Sequence, residues 1–159
     1  MRMFKLLRTA AFGALLALIG LQLVAQGTDL IIGNWELNVA KSKSTAPASK
    51  SESRSYVLAG QDIKARAKGV DADGKPYASQ WSIRYDGRDQ TVSGNPDFDS
   101  VSFKRIDAYT TEFTQKKAGK VVSTGTRSFS KDGKIMTIAS KGIDAAGKPF
   151  DDLSVFERR

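Results

Sequence analysis

Six dipeptides ending in glycine punctuate this chain: Ala59-Gly60, Asp73-Gly74, Asp86-Gly87, Ala118-Gly119, Asp132-Gly133 and Ala146-Gly147. Between them run short segments in which polar and apolar residues alternate. Glycine supplies the positive φ that tight hairpin turns need, and a period of two marks strands with one buried face. Ten segments read as strands, at about 33–39, 53–59, 62–69, 77–85, 88–93, 100–106, 109–116, 120–129, 134–142 and 149–157. Beyond the N-terminal segment no window carries the 3.6-residue apolar repeat of a helix. Strands joined by short turns pair with their sequence neighbours. The expected fold is therefore all-β, an antiparallel up-and-down β-barrel of 8–10 strands preceded by an N-terminal signal helix.

The first 25 residues predict a signal peptide. Arg2, Lys5 and Arg8 form a basic start, Ala10 to Leu21 a short apolar stretch, and Ala25 or Gly27 a small residue before cleavage. The mature chain would then begin at Gln26 or Thr28, with residues 26–159 forming one domain. The rival is an uncleaved anchor, since no charge stands between Thr9 and Thr28, but Gln22 and Gln26 dilute that run. The expected location is secreted or periplasmic, with no stable membrane insertion after cleavage. The chain has no Cys, which removes lipid attachment through a lipobox.

Composition narrows the chemistry further. With no Cys and no His there is no thiol nucleophile, no Ser-His pair and no imidazole for zinc or haem. Neither a catalytic constellation, a metal site nor a cofactor is expected, and the reading is not an enzyme. Removing Arg2, Lys5 and Arg8 leaves 22 basic against 17 acidic residues, a net charge of +5. That excess is spread along outward strand positions, a pattern of ordinary solubilising charge and not of nucleic-acid binding.

An internal repeat runs from Lys68 to Pro76 and again from Lys141 to Pro149, each copy followed by an aromatic residue. Asp71-Ala72-Asp73-Gly74 has the look of a calcium loop, but the second copy replaces Asp73 with Ala146, and no Glu stands at the terminal ligand position. A reused tight turn accounts for both copies. Asp97 and Asp99, and the neighbours Asp151 and Asp152, read as solvated turn carboxylates.

Alternation assigns the inward side chains. Ile63, Ala65 and Ala67 share one face, as do Tyr77, Ser79, Trp81, Ile83 and Tyr85. Val101 and Phe103, then Tyr109, Thr111 and Phe113, then Val121, Ser123, Gly125, Arg127 and Phe129 form further inward sets. Small residues among large aromatics imply unfilled volume, hence a cavity. Arg105 and Arg127 follow the inward register, and an inward arginine requires an anion, a carboxylate or an aromatic face. The candidate ligand-binding residues are Trp81, Tyr85, Phe103, Arg105, Tyr109, Phe113 and Arg127. The long connection from Ala40 to Glu52 reads as either a flexible loop or a lid.

With Gly33-Asn34-Trp35 on the first strand, a long first connection and a meander of hairpins, the chain resembles the lipocalin and fatty-acid-binding-protein superfamily, in particular lipocalin-like proteins exported by bacteria. The resemblance implies that Gly33 and Trp35 are structural, with Trp35 packed at the closed end of the barrel against a basic residue, Arg158 or Arg127. Fatty-acid-binding proteins of this superfamily carry an Arg-x-Tyr pair on the final strand, whereas this chain has Ser154 and Phe156 there. The expected function is non-covalent binding of a small hydrophobic or amphipathic molecule, with Arg105 and Arg127 orienting an acidic head. The alternative is a protein-binding barrel such as a periplasmic protease inhibitor. A filled interior favours the second and an open apolar cavity the first.

Overall fold

The computed structural model describes residues 29–159, so the expected signal peptide lies outside the described residues. Eleven strands run in chain order: β1 Gly33–Leu37, β2 Lys43–Ser44, β3 Ser51–Ala59, β4 Asp62–Val70, β5 Pro76–Ile83, β6 Gln90–Thr91, β7 Ser100–Arg105, β8 Thr110–Lys117, β9 Lys120–Phe129, β10 Ile135–Ile143 and β11 Pro149–Arg158. All pair antiparallel, in the order β5-β4-β3-β1-β11-β10-β9-β8-β7-β6. The two ends of this path meet. Gln80 and Ser93 exchange both backbone hydrogen bonds, each 2.9 Å, a second bridge joins Asp86 to Lys104 of β7, and together they close the sheet into a barrel.

Turn chemistry sets the connections. All six turn glycines have φ between 65° and 88°, the left-handed region open to glycine. The two copies of the repeat form the same turn. Asp71 Oδ1 accepts from the backbone of Lys75, and Asp144 Oδ1 from that of Lys148, both at 2.8 Å. These carboxylates hold their own loops.

The Ala40–Glu52 connection is more ordered than its composition suggests. Asn38 caps a single 3-10 turn at Val39–Lys41, and β2 then pairs with β11. Ser44 donates to the Asp152 carboxylate, and Asp151 donates to the Thr45 hydroxyl at 2.7 Å. Farther along, Ser49 and Tyr77 hydroxyls lie 3.1 Å apart. The segment is pinned along the barrel rim.

Side chains fill the closed half of the barrel. Ile31, Trp35, Tyr56, Ile83, Met136 and Phe156 are each at most 1 % exposed. Trp35 donates its indole N–H to the Ile31 carbonyl at 2.8 Å. Arg158, its cross-strand partner on β11, lays its guanidinium 4.4 Å from the Trp35 ring. It donates to the carbonyls of Gly133 and Ile32, both at 2.7 Å, and to that of Leu30. Gly33 has φ 129°, a backbone conformation side chains rarely adopt, and a Cβ there would stand 2.7 Å from Arg158 Nη1. The three residues thus form one plug at the end where the chain enters.

Candidate functional site

Above that plug the interior opens into a cavity of about 150 Å³. Its walls come from most of the barrel. Ala67 and Ser79 leave the space, and Trp81, Phe98, Phe103 and Phe113 line it. Phe113 and Phe103 pair across β7 and β8 with ring centroids 6.5 Å apart. The Phe113 ring rests on Gly125 of β9, where a Cβ would come within 2.5 Å of it. Gln115, Ser140 and Ser154 make the rest of the lining partly polar.

Two arginines reach this cavity, and their situations differ. Arg127 is 3 % exposed. Its guanidinium lies 5.3 Å from the Phe103 ring, which supplies a π face. A π face does not satisfy the N–H groups that point outward in the guanidinium plane. Both Nε and Nη2 of Arg127 are buried without a hydrogen-bond acceptor among the described residues. Those two atoms form one edge of the guanidinium, the fork that takes a carboxylate through two parallel hydrogen bonds.

Arg54, by contrast, has a carboxylate partner. Its Nε donates to Glu52, and its guanidinium lies 4.6 Å from the Phe156 ring and 5.8 Å from that of Trp81. Burial is the largest single influence and works against its charge, but the Glu52 carboxylate and the Tyr56 hydroxyl together outweigh it and hold its pKa above the ordinary arginine value. Glu52 also accepts from the Tyr77 hydroxyl at 2.6 Å. Burial first, and then the same carboxylate, push the Tyr77 phenol above its usual range. Sequence reading missed Arg54, although it shares a strand face with Tyr56. The opposite charge of Glu52 two residues earlier was the available signal.

Of the seven residues expected to contact ligand, Trp81, Phe103, Phe113 and Arg127 line the cavity. Tyr85, Arg105 and Tyr109 do not, and each stands at or beyond a strand end, where alternation loses its meaning. Arg105 turns to the closed end. It pairs with Asp29 and stacks 4.0 Å from the Tyr85 ring, with its side chain 40 % exposed. Tyr85 follows β5 and packs on the core from that end, where burial pushes its phenol up to about 12. Tyr109 lies in the β7–β8 turn and is 41 % exposed. Val121 is a further correction. A bulge opposite Gln115 and Lys116 skips Val122 in the β8–β9 ladder, so Val121 faces outward, 59 % exposed. The interior is therefore neither wholly filled nor wholly open.

No protein-family model matches the chain, and no curated protein sequence is significantly similar to it. Among solved structures it is similar to redesigned β-barrels. One, mFAP1 bound to DFHBI, is 14 % identical over 81 % of this chain and 95 % of that one, with a TM-score of 0.42. Another, EF1p2_mFAP2b bound to DFHBI, is 12 % identical over 82 % of this chain and 94 % of that one, with a TM-score of 0.46. Likeness at this level is coarse and says nothing about the occupant of this barrel.

Proposed function

We propose that this protein is an exported, lipocalin-like binding barrel that holds a small, largely apolar, acidic molecule non-covalently in its interior cavity. One observation supports the reading: the buried edge of Arg127, without an acceptor among the described residues, beside an aromatic-lined cavity. A buried cation without a hydrogen-bonded anion is costly, so a fold that keeps one gains by receiving an anion from outside. Phe98, Phe103 and Phe113 offer apolar contact to the body of such a molecule.

Native mass spectrometry of the mature protein from its own host tests this. The expected result is a one-to-one adduct of a small acid on the wild type and its loss in Arg127→Met. A wild-type protein that carries no adduct and binds no small acid in titration overturns the reading.

Export rests on the basic and apolar halves of residues 1–25. Intact-mass measurement of the secreted form should give a chain beginning at Gln26 or Thr28. Full-length protein retained in the membrane fraction would defeat that part.

A further inference from the structure

We infer that the cavity takes a single-ring aromatic monocarboxylate with a polar group at the end far from the carboxylate, and not a long-chain fatty acid. The inference deepens the small-acid reading above and rests on it.

Size is the first argument. The pocket is open at its mouth, and its interior space of about 150 Å³ is the volume that accepts one benzene-sized ring in a protein interior. Depth is the second. Arg127 pairs with Thr111 of β8 and Ile138 of β10, toward the filled half of the barrel. A carboxylate on its Nε–Nη2 edge therefore lies deep, and the rest of the ligand must extend toward the mouth. Both atoms are closed to solvent in the ligand-free fold, so the guanidinium turns toward the cavity to take it.

What it meets on the way is the third argument. Phe103 and Phe113 flank the first stretch, with Phe113 one cross-strand step above Arg127, opposite Gly125. Beyond them the lining turns polar. Gln115 and Ser123 hydrogen-bond across β8 and β9, Ser140 pairs with Gly125, and the Glu52–Arg54 pair and Tyr77 stand at the same end. A flat ring fits the aromatic stretch, and a hydroxyl beyond it meets groups that donate and accept. A long alkyl tail anchored at Arg127 would have to run past these polar groups and deprive them of water without offering hydrogen bonds, which is unfavourable. The bidentate edge of Arg127 selects a planar carboxylate over a single hydroxyl head.

The test is calorimetric titration of the mature protein with para-hydroxybenzoate, para-hydroxybenzamide and dodecanoate, using wild type, Arg127→Met and Arg127→Lys. Circular dichroism confirms that each variant is folded. The wild type should bind para-hydroxybenzoate one-to-one, roughly ten- to a hundredfold more tightly than the neutral amide, the range of charge-assisted hydrogen bonds. It should bind dodecanoate more weakly. Arg127→Met should abolish the preference for acid over amide. Arg127→Lys, which keeps the charge and lacks the fork, should lose most of it and serves alone if the Met variant does not fold. Tighter, Arg127-dependent binding of dodecanoate would overturn the inference and leave the small-acid reading standing. Absence of acid binding, or binding indifferent to Arg127, would overturn both.

Discussion

The Arg158 guanidinium lies 4.4 Å from the Trp35 ring, directly across the β1–β11 ladder. Its N–H groups meanwhile satisfy carbonyls of Leu30, Ile32 and Gly133. One side chain thus stacks on the largest core aromatic and ties the entering chain to the β9–β10 turn. Trp35→Ala should destabilise the protein by about 3–5 kcal/mol, as large core aromatics do. Arg158→Met should also destabilise it, because carbonyls at the plug lose their donor. In urea denaturation, a double-mutant cycle should show about 1–2 kcal/mol of coupling between the two. Additive effects would mean that the stacked geometry contributes nothing.

The two cavity arginines should respond to the same substitution with opposite signs. Arg127 has no anionic partner among the described residues, so Arg127→Met should leave the ligand-free protein as stable or raise its stability by about 1–2 kcal/mol. Arg54→Met strands Glu52, which keeps only the Tyr77 hydroxyl. It should cost roughly 2–4 kcal/mol, below the fully buried limit because the pair is partly exposed. Equilibrium unfolding without ligand measures both. Strong destabilisation by Arg127→Met would identify Arg127 as a structural residue.

Alkaline pH should unfold the protein through its tyrosines. In the fold the Tyr85 phenol is pushed up to about 12, and Tyr77 is raised as well. An unfolded tyrosine ionises near ~10. The folded state therefore holds these protons more tightly than the unfolded state. Their contribution is fully present below pH ~10 and is lost as pH rises through about 12. Phenolate absorbance should show Tyr77 and Tyr85 titrating late, together with unfolding. Phe substitutions at both sites should flatten that alkaline loss.

The repeated turns should be indifferent to calcium. Asp71 and Asp144 each accept from their own loop backbone, so millimolar Ca²⁺ should leave the melting temperature unchanged. Asp71→Ala and Asp144→Ala should each cost about 1 kcal/mol, the net value of an ordinary hydrogen bond. A rise in melting temperature with Ca²⁺ that depends on Asp71 would restore the calcium-loop reading.

Local rules made the strands legible. The Ile63–Ala67 alternation and the glycines at 60, 74, 87, 119, 133 and 147 placed strand faces and turns, because both effects act within a few residues. Family resemblance offered Arg158 or Arg127 as the basic partner of Trp35, and the structure places Arg158 on its ring. What stayed illegible depends on distant partners. β2 forms only because Lys43 and Ser44 meet β11, more than a hundred residues later. The bulge that turns Val121 outward is a property of the β8–β9 pair and not of either strand. Arg105 looked inward by count, but Asp29 and Tyr85 draw it to the barrel end. Arg54 hid for the reverse reason: a charged residue among serines reads as surface, and only the fold brings Glu52, Trp81 and Phe156 around it.

Closure of this barrel by two isolated bridges, Gln80–Ser93 and Asp86–Lys104, has a consequence for solubility. Were they to part, β5 and β6 would become free sheet edges, and a free edge is a template for another chain. β6 is only two residues long, and β5 begins at Pro76, which cannot donate a ladder hydrogen bond. An opened seam therefore offers a stacking neighbour little continuous backbone. The place where the circle is weakest is also where self-association finds the poorest footing.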